Sequence, residues 1–345
     1  MEHNGRALKL DALDRALVAA LQQDGRAPFR RLAGRLNVTE ETVQRRVQQL
    51  VDGGAFRVIG VIDPLRSGRG HAMLIGVHCD PPAIREIATA LAAIPDMRFV
   101  AIVTGTFDVA CELVTSDRER VTETLIGVLP LIPGVRGLNS SWVLETRKTS
   151  FLWDAAATIP AGMGAPPVPC TVDLAEEGAL TAFPPTSTAK NGSGEETLLT
   201  AQDRQIVELL QHNGRMSYTE LAANLGTSES TARRWMLSLI DSAYLQVVAI
   251  SNPFRLGFEV VVLLWLKVDL AHATAAMEAL ARHPAVRYLA RAAGAADIVA
   301  EVIFPDRNAL FAFMDGPLAA IKGIHEVSAS FELTLYKRAY ARFDA

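Results

Sequence analysis

The sequence predicts an α+β chain in which one plan is used twice: a winged helix-turn-helix unit, then a βαββαβ module of ferredoxin-like connectivity. Three observations predict it. Asp14-Arg15, Gly25-Arg26, Leu32-Ala33 and Thr42 with Arg45 recur as Asp203-Arg204, Gly214-Arg215, Leu221-Ala222 and Thr231 with Arg234. Pro64, Arg66, Gly68, Gly105 and Asp108 recur as Pro253, Arg255, Gly257, Gly294 and Asp297, so Asp14 to Asp203 and Asp108 to Asp297 are the same step of 189 residues. A step held that far without a gap marks a duplicated unit longer than any solenoid repeat. Each copy also opens on two short amphipathic helices joined by a brief turn, and each closes on alternating strand and helix patterns.

In chain order, residues 1–9 form a tail. Leu13, Leu17 and Leu21 mark a first helix, closed by Asp24-Gly25. Phe29–Leu36 is a short amphipathic helix, and Thr39–Leu50 is the helix on which the unit is organised. There Val43, Val47 and Leu50 make one apolar stripe, Thr39 caps, and Glu40 and Glu41 sit in the first turn where the helix dipole favours them. The opposite face shows Gln44, Arg45 and Gln48, with Arg46 at its boundary. Taken alone, this stretch fits an ordinary solvated helical hairpin as well as a recognition helix; the duplication weighs for the latter. Phe56–Ile62 is a β-branched run suited to a wing or hinge strand, broken by Asp63-Pro64.

The first βαββαβ module reads as strand Ala72–Cys79, helix Pro82–Ile94, strand Arg98–Val103, a turn at Gly105, strand Asp108–Val114, a helix capped by Asp117, and strand Val135–Leu144. Residues 153–196 change character, with Pro166-Pro167, Pro184-Pro185 and Asn191-Gly-Ser-Gly194. They read as a linker with an r.m.s. span of roughly 35–40 Å. Thr200, Ser217 and Ser228 then open three helices. The second module has strands near Val260–Val268, Val286–Arg291, Asp297–Phe304 and His325–Leu335, with helices near Ala271–Arg282 and Asp306–Met314. The expected domains are 8–57, 58–152, 197–246 and 247–345, around the linker.

The net charge of −4 and pI near 6.0 exclude a chain basic throughout, while leaving room for a local basic face. Cys79, Cys111 and Cys170 are far apart and form no zinc or disulfide pattern. His71 and His78 fall on opposite faces of one strand by parity, against a shared metal. No catalytic triad, phosphate loop or cofactor motif is read. The start lacks a signal-peptide core, and the longest apolar run, Val260–Leu266, is too short to cross a bilayer. A soluble protein of a reducing cytoplasm fits.

The order helix-turn-helix, hinge strand, βαββαβ resembles the Lrp/AsnC, or feast/famine, family of regulators. The residues that carry the resemblance are Leu10-Asp-Ala-Leu-Asp-Arg15, Asp24-Gly-Arg26, Thr42-Val-Gln-Arg-Arg-Val47, Asp63-Pro64 and Gly105-Thr-Phe-Asp108. It implies binding of double-stranded DNA by the first kind of module, and sensing of a small amino acid by the second, or RAM-type, module. It also implies a homo-oligomer formed through the α/β modules.

For DNA, Arg45 and Arg46 can meet phosphate or guanine, Gln44 and Gln48 adenine edges, and Arg26, Arg30, Arg31 and Arg35 phosphates, with Thr42 beside them. In the second copy Arg233 and Arg234 take these roles, and Trp235, in the place of Arg46, reads as packing. By matching position the effector turn is Thr104, Gly105, Thr106, Phe107 and Asp108, repeated only in Gly294 and Asp297, since Ala296 replaces Phe107. On the residues alone that turn reads as a plain β-hairpin with no ligand.

Two other classes stay open. One is a sensing module whose helix-turn-helix is vestigial. The other is the siroheme decarboxylases, enzymes resembling this fold, which share a His- and Arg-bearing segment after the hinge strand. Here that segment is Asp63-Pro-Leu-Arg66 and Asn252-Pro-Phe-Arg255, without the histidine.

Overall fold

The structure, a computed structural model, describes residues 7–62, 70–115, 117–150, 153, 199–242, 244–339 and 341–342. Residues 1–6 of the expected tail, the segment 63–69 and all of the expected linker except Trp153 lie outside the described residues.

Each copy opens on three helices. They are α1 (Ala12–Gln23), α2 (Phe29–Leu36) and α3 (Glu40–Asp52) in the first, and α6 (Ala201–His212), α7 (Tyr218–Leu225) and α8 (Glu229–Asp241) in the second. Caps set their starts. Asp11 and Asp14 exchange side-chain and backbone bonds at the head of α1, as Thr200 and Asp203 do at the head of α6. Thr39 and Ser228 cap α3 and α8. The turn before each recognition helix needs a left-handed residue, and the equivalent positions hold Asn37 (φ 53°) and Gly226 (φ 63°), two types that tolerate it.

The run after α3 is β1 (Phe56–Ile62), and it has a partner that the sequence analysis did not read, β6 (Leu245–Ser251). They pair antiparallel with Ile59 opposite Val248 at the centre. Those two residues are equivalent under the 189-residue step, so a pseudo-twofold axis passes between them. The expected boundaries at 57/58 and 246/247 fall inside these strands.

The α/β modules contribute β2 (His71–Cys79), β3 (Met97–Val103), β4 (Val109–Thr115) and β5 (Val135–Lys148), then β7 (Val260–Val268), β8 (Val286–Gly294), β9 (Ile298–Phe304) and β10 (Ile324–Arg338). A two-residue strand, β11 (Ala341–Arg342), adds to the end of β10. Each sheet runs in the split order expected of βαββαβ, and the two sheets join at both edges. β5 starts on β2 and ends on β8, and β10 starts on β7 and ends on β3. The eight strands therefore close on themselves, which removes the open edges that invite aggregation.

Closure explains why β5 and β10 outrun their sequence expectation by several residues: their C-terminal halves pair with the opposite sheet. The inner faces share one core, in which Phe99, Ala101, Phe107 and Val143 meet Leu263, Trp265, Tyr288 and Val299. The outer faces are covered by α4 (Ile84–Ala93) and α5 (Arg118–Thr122) on one side, and by α9 (Ala273–Arg282) and α10 (Arg307–Phe313) on the other. The helix expected from Asp117 is a short α segment that widens into a π turn at Glu123–Val128, and the one expected over Asp306–Met314 is found at Arg307–Phe313 and continues into a π turn at Met314–Leu318. The two α/β modules thus pair face to face within one chain.

Candidate DNA interface and effector turns

The apolar stripes of the recognition helices are buried as expected, Val43, Val47 and Leu50 in α3 and Ala232, Met236 and Leu239 in α8. Their outward faces carry the predicted polar residues. Gln44, Arg45 and Gln48 are exposed, as are Arg30, Arg31 and Arg35 on α2 and Arg233 and Arg234 on α8. Among the described residues Arg30, Arg35 and Arg45 form no ion pair, so their guanidinium groups face solvent uncommitted. Gln48 donates to Asp52 at 2.7 Å, and the Thr42 hydroxyl lies 3.1 Å from that of Thr39 at the N-cap.

Three arginines do something other than the sequence suggested. Arg46 turns back onto α1, 2.9 Å from Asp11 and 3.3 Å from Asp14. Burial, the largest influence on Asp14, raises its carboxyl, and Arg46 acts against that. Arg46 is therefore a brace between α1 and α3, because the acidic cap of α1 lies within its reach. Trp235 packs half-buried in the second core at the same position, as expected. Arg31 is tied to Asp24 at 2.6 Å, although both stay partly exposed.

Arg26 is the clearest departure. It crosses the pseudo-dyad, donating to the carbonyls of Gly214 (2.8 Å) and Met216 (3.0 Å), with its guanidinium 5.1 Å from the Tyr218 ring. Arg215 returns the contact to Gly25 (2.7 Å) and Ala27 (3.3 Å), 4.3 Å from the Phe29 ring. The two helix-turn-helix units are thus clasped head to head, and neither arginine is available for phosphate. The glycines beside them make this possible. A Cβ on Gly25 would stand 2.9 Å from the Val247 carbonyl oxygen, and one on Gly214 2.8 Å from Ile59 backbone.

The candidate effector turns are short loops, closed by the Val103 amide on the Asp108 carbonyl and the Ala292 amide on the Asp297 carbonyl. Gly105 (φ 96°) and Gly294 (φ 143°) each lie where a side chain would strike a carbonyl of the opposite module, Ala329 at 2.3 Å and Ser140 at 2.5 Å. The Asp108 carboxylate accepts from the Cys79 amide at 2.8 Å, and that of Asp297 from the Val268 amide at 3.0 Å. Each aspartate thus pins its turn to the end of the neighbouring strand, and Lys267 adds a contact to Gly294 and Asp297 in the second copy. Thr104, Gly105 and Thr106 are exposed.

Phe107, expected to line a pocket, is instead a core side chain. It is buried over Gly76 and stands edge-on to Trp265 at 5.1 Å. Ala296 is small for the converse reason, since Trp265 occupies the position equivalent to Gly76. The ring at each turn has been exchanged for a ring on the strand.

Sequence reasoning missed a buried ionic cluster on the pseudo-dyad. Arg98 grips Glu112 at 2.5 and 2.7 Å, and Arg287 grips Glu301 at 2.6 and 2.8 Å. Arg338 joins Glu301 to Glu332 at 2.9 and 2.8 Å, and the Tyr288 hydroxyl donates to Glu112 at 3.0 Å. Burial pushes the Glu301 carboxyl up, but Arg287 and Arg338 overcome it and hold it at about 2. A signal was present: both pairs recur at the 189-residue step as charged residues inside apolar strand runs.

Comparison with known proteins follows these boundaries. The AsnC-type helix-turn-helix domain matches residues 10–51 and again 199–236, and the Lrp/AsnC ligand binding domain matches 72–153 and again 261–341. The chain belongs to the Lrp/AsnC family. It carries that family's two-domain plan in tandem.

An HTH-type transcriptional regulator of Pyrococcus abyssi is 28% identical over 149 residues, 43% of this chain and 94% of that protein. The HTH-type transcriptional regulator FL11 of Pyrococcus horikoshii is 30% identical over 140 residues, 40% of this chain and 92% of that one. Matches of that length correspond to one half of this Lrp/AsnC chain. A match over almost the whole length comes from a solved structure, the siroheme decarboxylase NirDL, at 14% identity and a TM-score of 0.59, covering 94% of this chain and 92% of that one. At that identity the likeness is one of fold. Among the described residues no helix is long and apolar enough to cross a membrane, and no group of His, Cys, Asp and Glu is placed to hold a metal.

Proposed function

We infer that this Lrp/AsnC-type regulator binds double-stranded DNA through α3 and α8 together, and that the two helices read unequal half-sites. The observation that carries this is the reciprocal Arg26/Arg215 clasp about the β1–β6 ribbon, which sets two helix-turn-helix units in a fixed, dyad-related pair. Such a pair suits half-sites spaced by about one helical turn or a multiple. The inequality comes from the exposed residues. The first unit offers Arg30, Arg35 and Arg45, while the second has Thr219, Asn224 and Arg234 at those positions. Thr104, Thr106 and the Gly105 backbone are the exposed groups of the effector turn, for a small amino acid or related metabolite. The protein acts in the cytoplasm as a regulator and not as an enzyme, and it assembles further through its α/β modules.

The test is footprinting joined to titration. Arg45→Ala should weaken operator binding more than Arg234→Ala, and should lower the salt slope by about 0.9 if one phosphate contact is lost. A palindromic footprint equally sensitive to both substitutions would exclude unequal half-sites. Calorimetry across the amino acids tests the sensing part, and a strong Soret band in purified protein would move the assignment towards tetrapyrrole chemistry.

A further inference from the structure

The two recognition helices present the same four outward positions, Glu41, Gln44, Arg45 and Gln48 on α3, and Ser230, Arg233, Arg234 and Leu237 on α8. That spacing, i, i+3, i+4 and i+7, is one by which a helix lying in the major groove brings side chains to base edges. At three of the four positions the second helix keeps a polar side chain. At the fourth, the amide of the first copy is replaced by a leucine.

Leu237 is not part of the helix's own core. The apolar stripe of α8 is complete without it, in Ala232, Met236 and Leu239, all buried. Leu237 stands on the far side of the helix from that stripe, 36% exposed, in an open groove that it shares with Ser230, Arg233, Arg234, Ser238 and Asp241. It is the one apolar side chain in the lining of that groove.

Exposed leucines are ordinary on protein surfaces, and this one gains meaning from its neighbours. The counterparts of Arg30, Arg31 and Arg35 are Thr219, Glu220 and Asn224, so α7 offers no cation to a phosphate. On α8 the Arg233 guanidinium lies 5.7 Å from the Tyr218 ring, which also receives Arg26 at 5.1 Å. Arg234 forms no ion pair among the described residues and is the guanidinium left for DNA. The second unit therefore brings little charge to the backbone, and what it adds is contact with the bases, where sequence is read.

The chemistry of that contact follows from the side chain. Leucine neither donates nor accepts a hydrogen bond. Against adenine N6 and N7, cytosine N4, or guanine N7 and O6 it covers polar groups without pairing them, which is unfavourable. Thymine alone places an apolar group, its 5-methyl, on the major-groove edge.

We propose that Leu237 makes α8 a thymine reader, packing on the 5-methyl group of one thymine in the second half-site. The half-sites then differ in the kind of contact as well as in charge, since α3 carries Gln48 at the equivalent position. This assignment rests on the regulator reading, in which α3 and α8 dock on DNA together.

The test uses the full chain and a duplex that it selects from a random pool. Each thymine is replaced in turn by deoxyuridine, which keeps the base pair and the O4 acceptor and removes only the methyl. At one position this should weaken binding about fourfold, the worth of one buried methyl group. Changing that T·A pair to C·G should also weaken binding, and 5-methylcytosine in place of that cytosine should recover about fourfold. Leu237→Gln, an exchange at an exposed position that installs the first copy's residue, should melt with the parent and lose the methyl response at that position alone.

Binding that no deoxyuridine weakens, or a methyl response that survives in Leu237→Gln, overturns the thymine contact and leaves the regulator reading standing. Failure of the parent to bind any duplex in a salt-dependent way counts against the regulator reading itself, and the thymine contact falls with it.

Discussion

In the first half of the molecule Phe107 fills the space above Gly76; in the second the same two positions are Ala296 and Trp265. Arg26 and Arg215, by contrast, are identical, and each reaches the other's turn. Asp108 and Asp297 are identical and pin equivalent strands. Arg98–Glu112 and Arg287–Glu301 are the same pair twice. Residues that clasp the other half's turn, that pin the same backbone turn, or that form the buried ion pairs are the same in both halves. Core positions differ as compensated pairs, and the outward faces of the recognition helices differ freely. A duplicated chain has this liberty because its halves need not be complementary to copies of themselves.

Three comparisons sharpen that contrast. The largest effect is expected at Glu301. Its side chain and that of Arg287 are only 2% and 1% exposed, and it also serves Arg338, whereas Glu112 and Arg98 are 5% and 11% exposed. Glu301→Ala leaves buried Arg287 without its carboxylate and Arg338 with Glu332 alone, and should cost about 3–5 kcal/mol in denaturant unfolding. Glu112→Ala should cost less, and equal losses would mean that the two pairs are energetically equivalent.

Next come the exchanged rings. Phe107→Ala and Trp265→Ala should each lose about 3–5 kcal/mol, as large-to-small changes in a shared core. The double variant should lose less than the sum, since the rings meet at 5.1 Å. Strict additivity would show that the two halves pack independently there.

The smallest effect concerns His283, whose counterpart is Ile94. Both residues accept a lysine on their carbonyls from the opposite module, Lys148 at 3.4 Å and Lys337 at 2.7 Å. His283 Nδ1 also accepts from the Ala285 amide at 3.2 Å, a bond that its protonation destroys. Burial and then the charge of Lys148 lower its pKa from 6.5. A base with a lowered folded pKa is protonated more readily in the unfolded chain. Its contribution is therefore present above pH 6.5 and is lost as pH falls through the lowered value. Urea midpoints measured across that window should fall in the parent and flatten in His283→Asn, whose side-chain oxygen can still accept from the amide.

What the sequence by itself determined is the local plan. Capping residues, 3.6-residue stripes and alternating strands placed most elements within a residue or two. The step of 189 residues announced two copies, and Trp235 read correctly as packing. These signals are short-range, carried by side chains acting on their own backbone.

Only the tertiary structure decided what the halves do to each other. β6 went unread because Gln246 and Ser251 interrupt its apolar run, although it lies one 189-residue step after β1; its pairing with β1 is a contact between the halves. β5 and β10 ran long because their ends pair with the opposite sheet. Arg26, Arg46 and Phe107 looked exposed and functional, and were found bracing or filling. A guanidinium reads as a DNA contact until an acidic cap or a ring of carbonyls comes within reach of it, and distance along the chain does not report that approach.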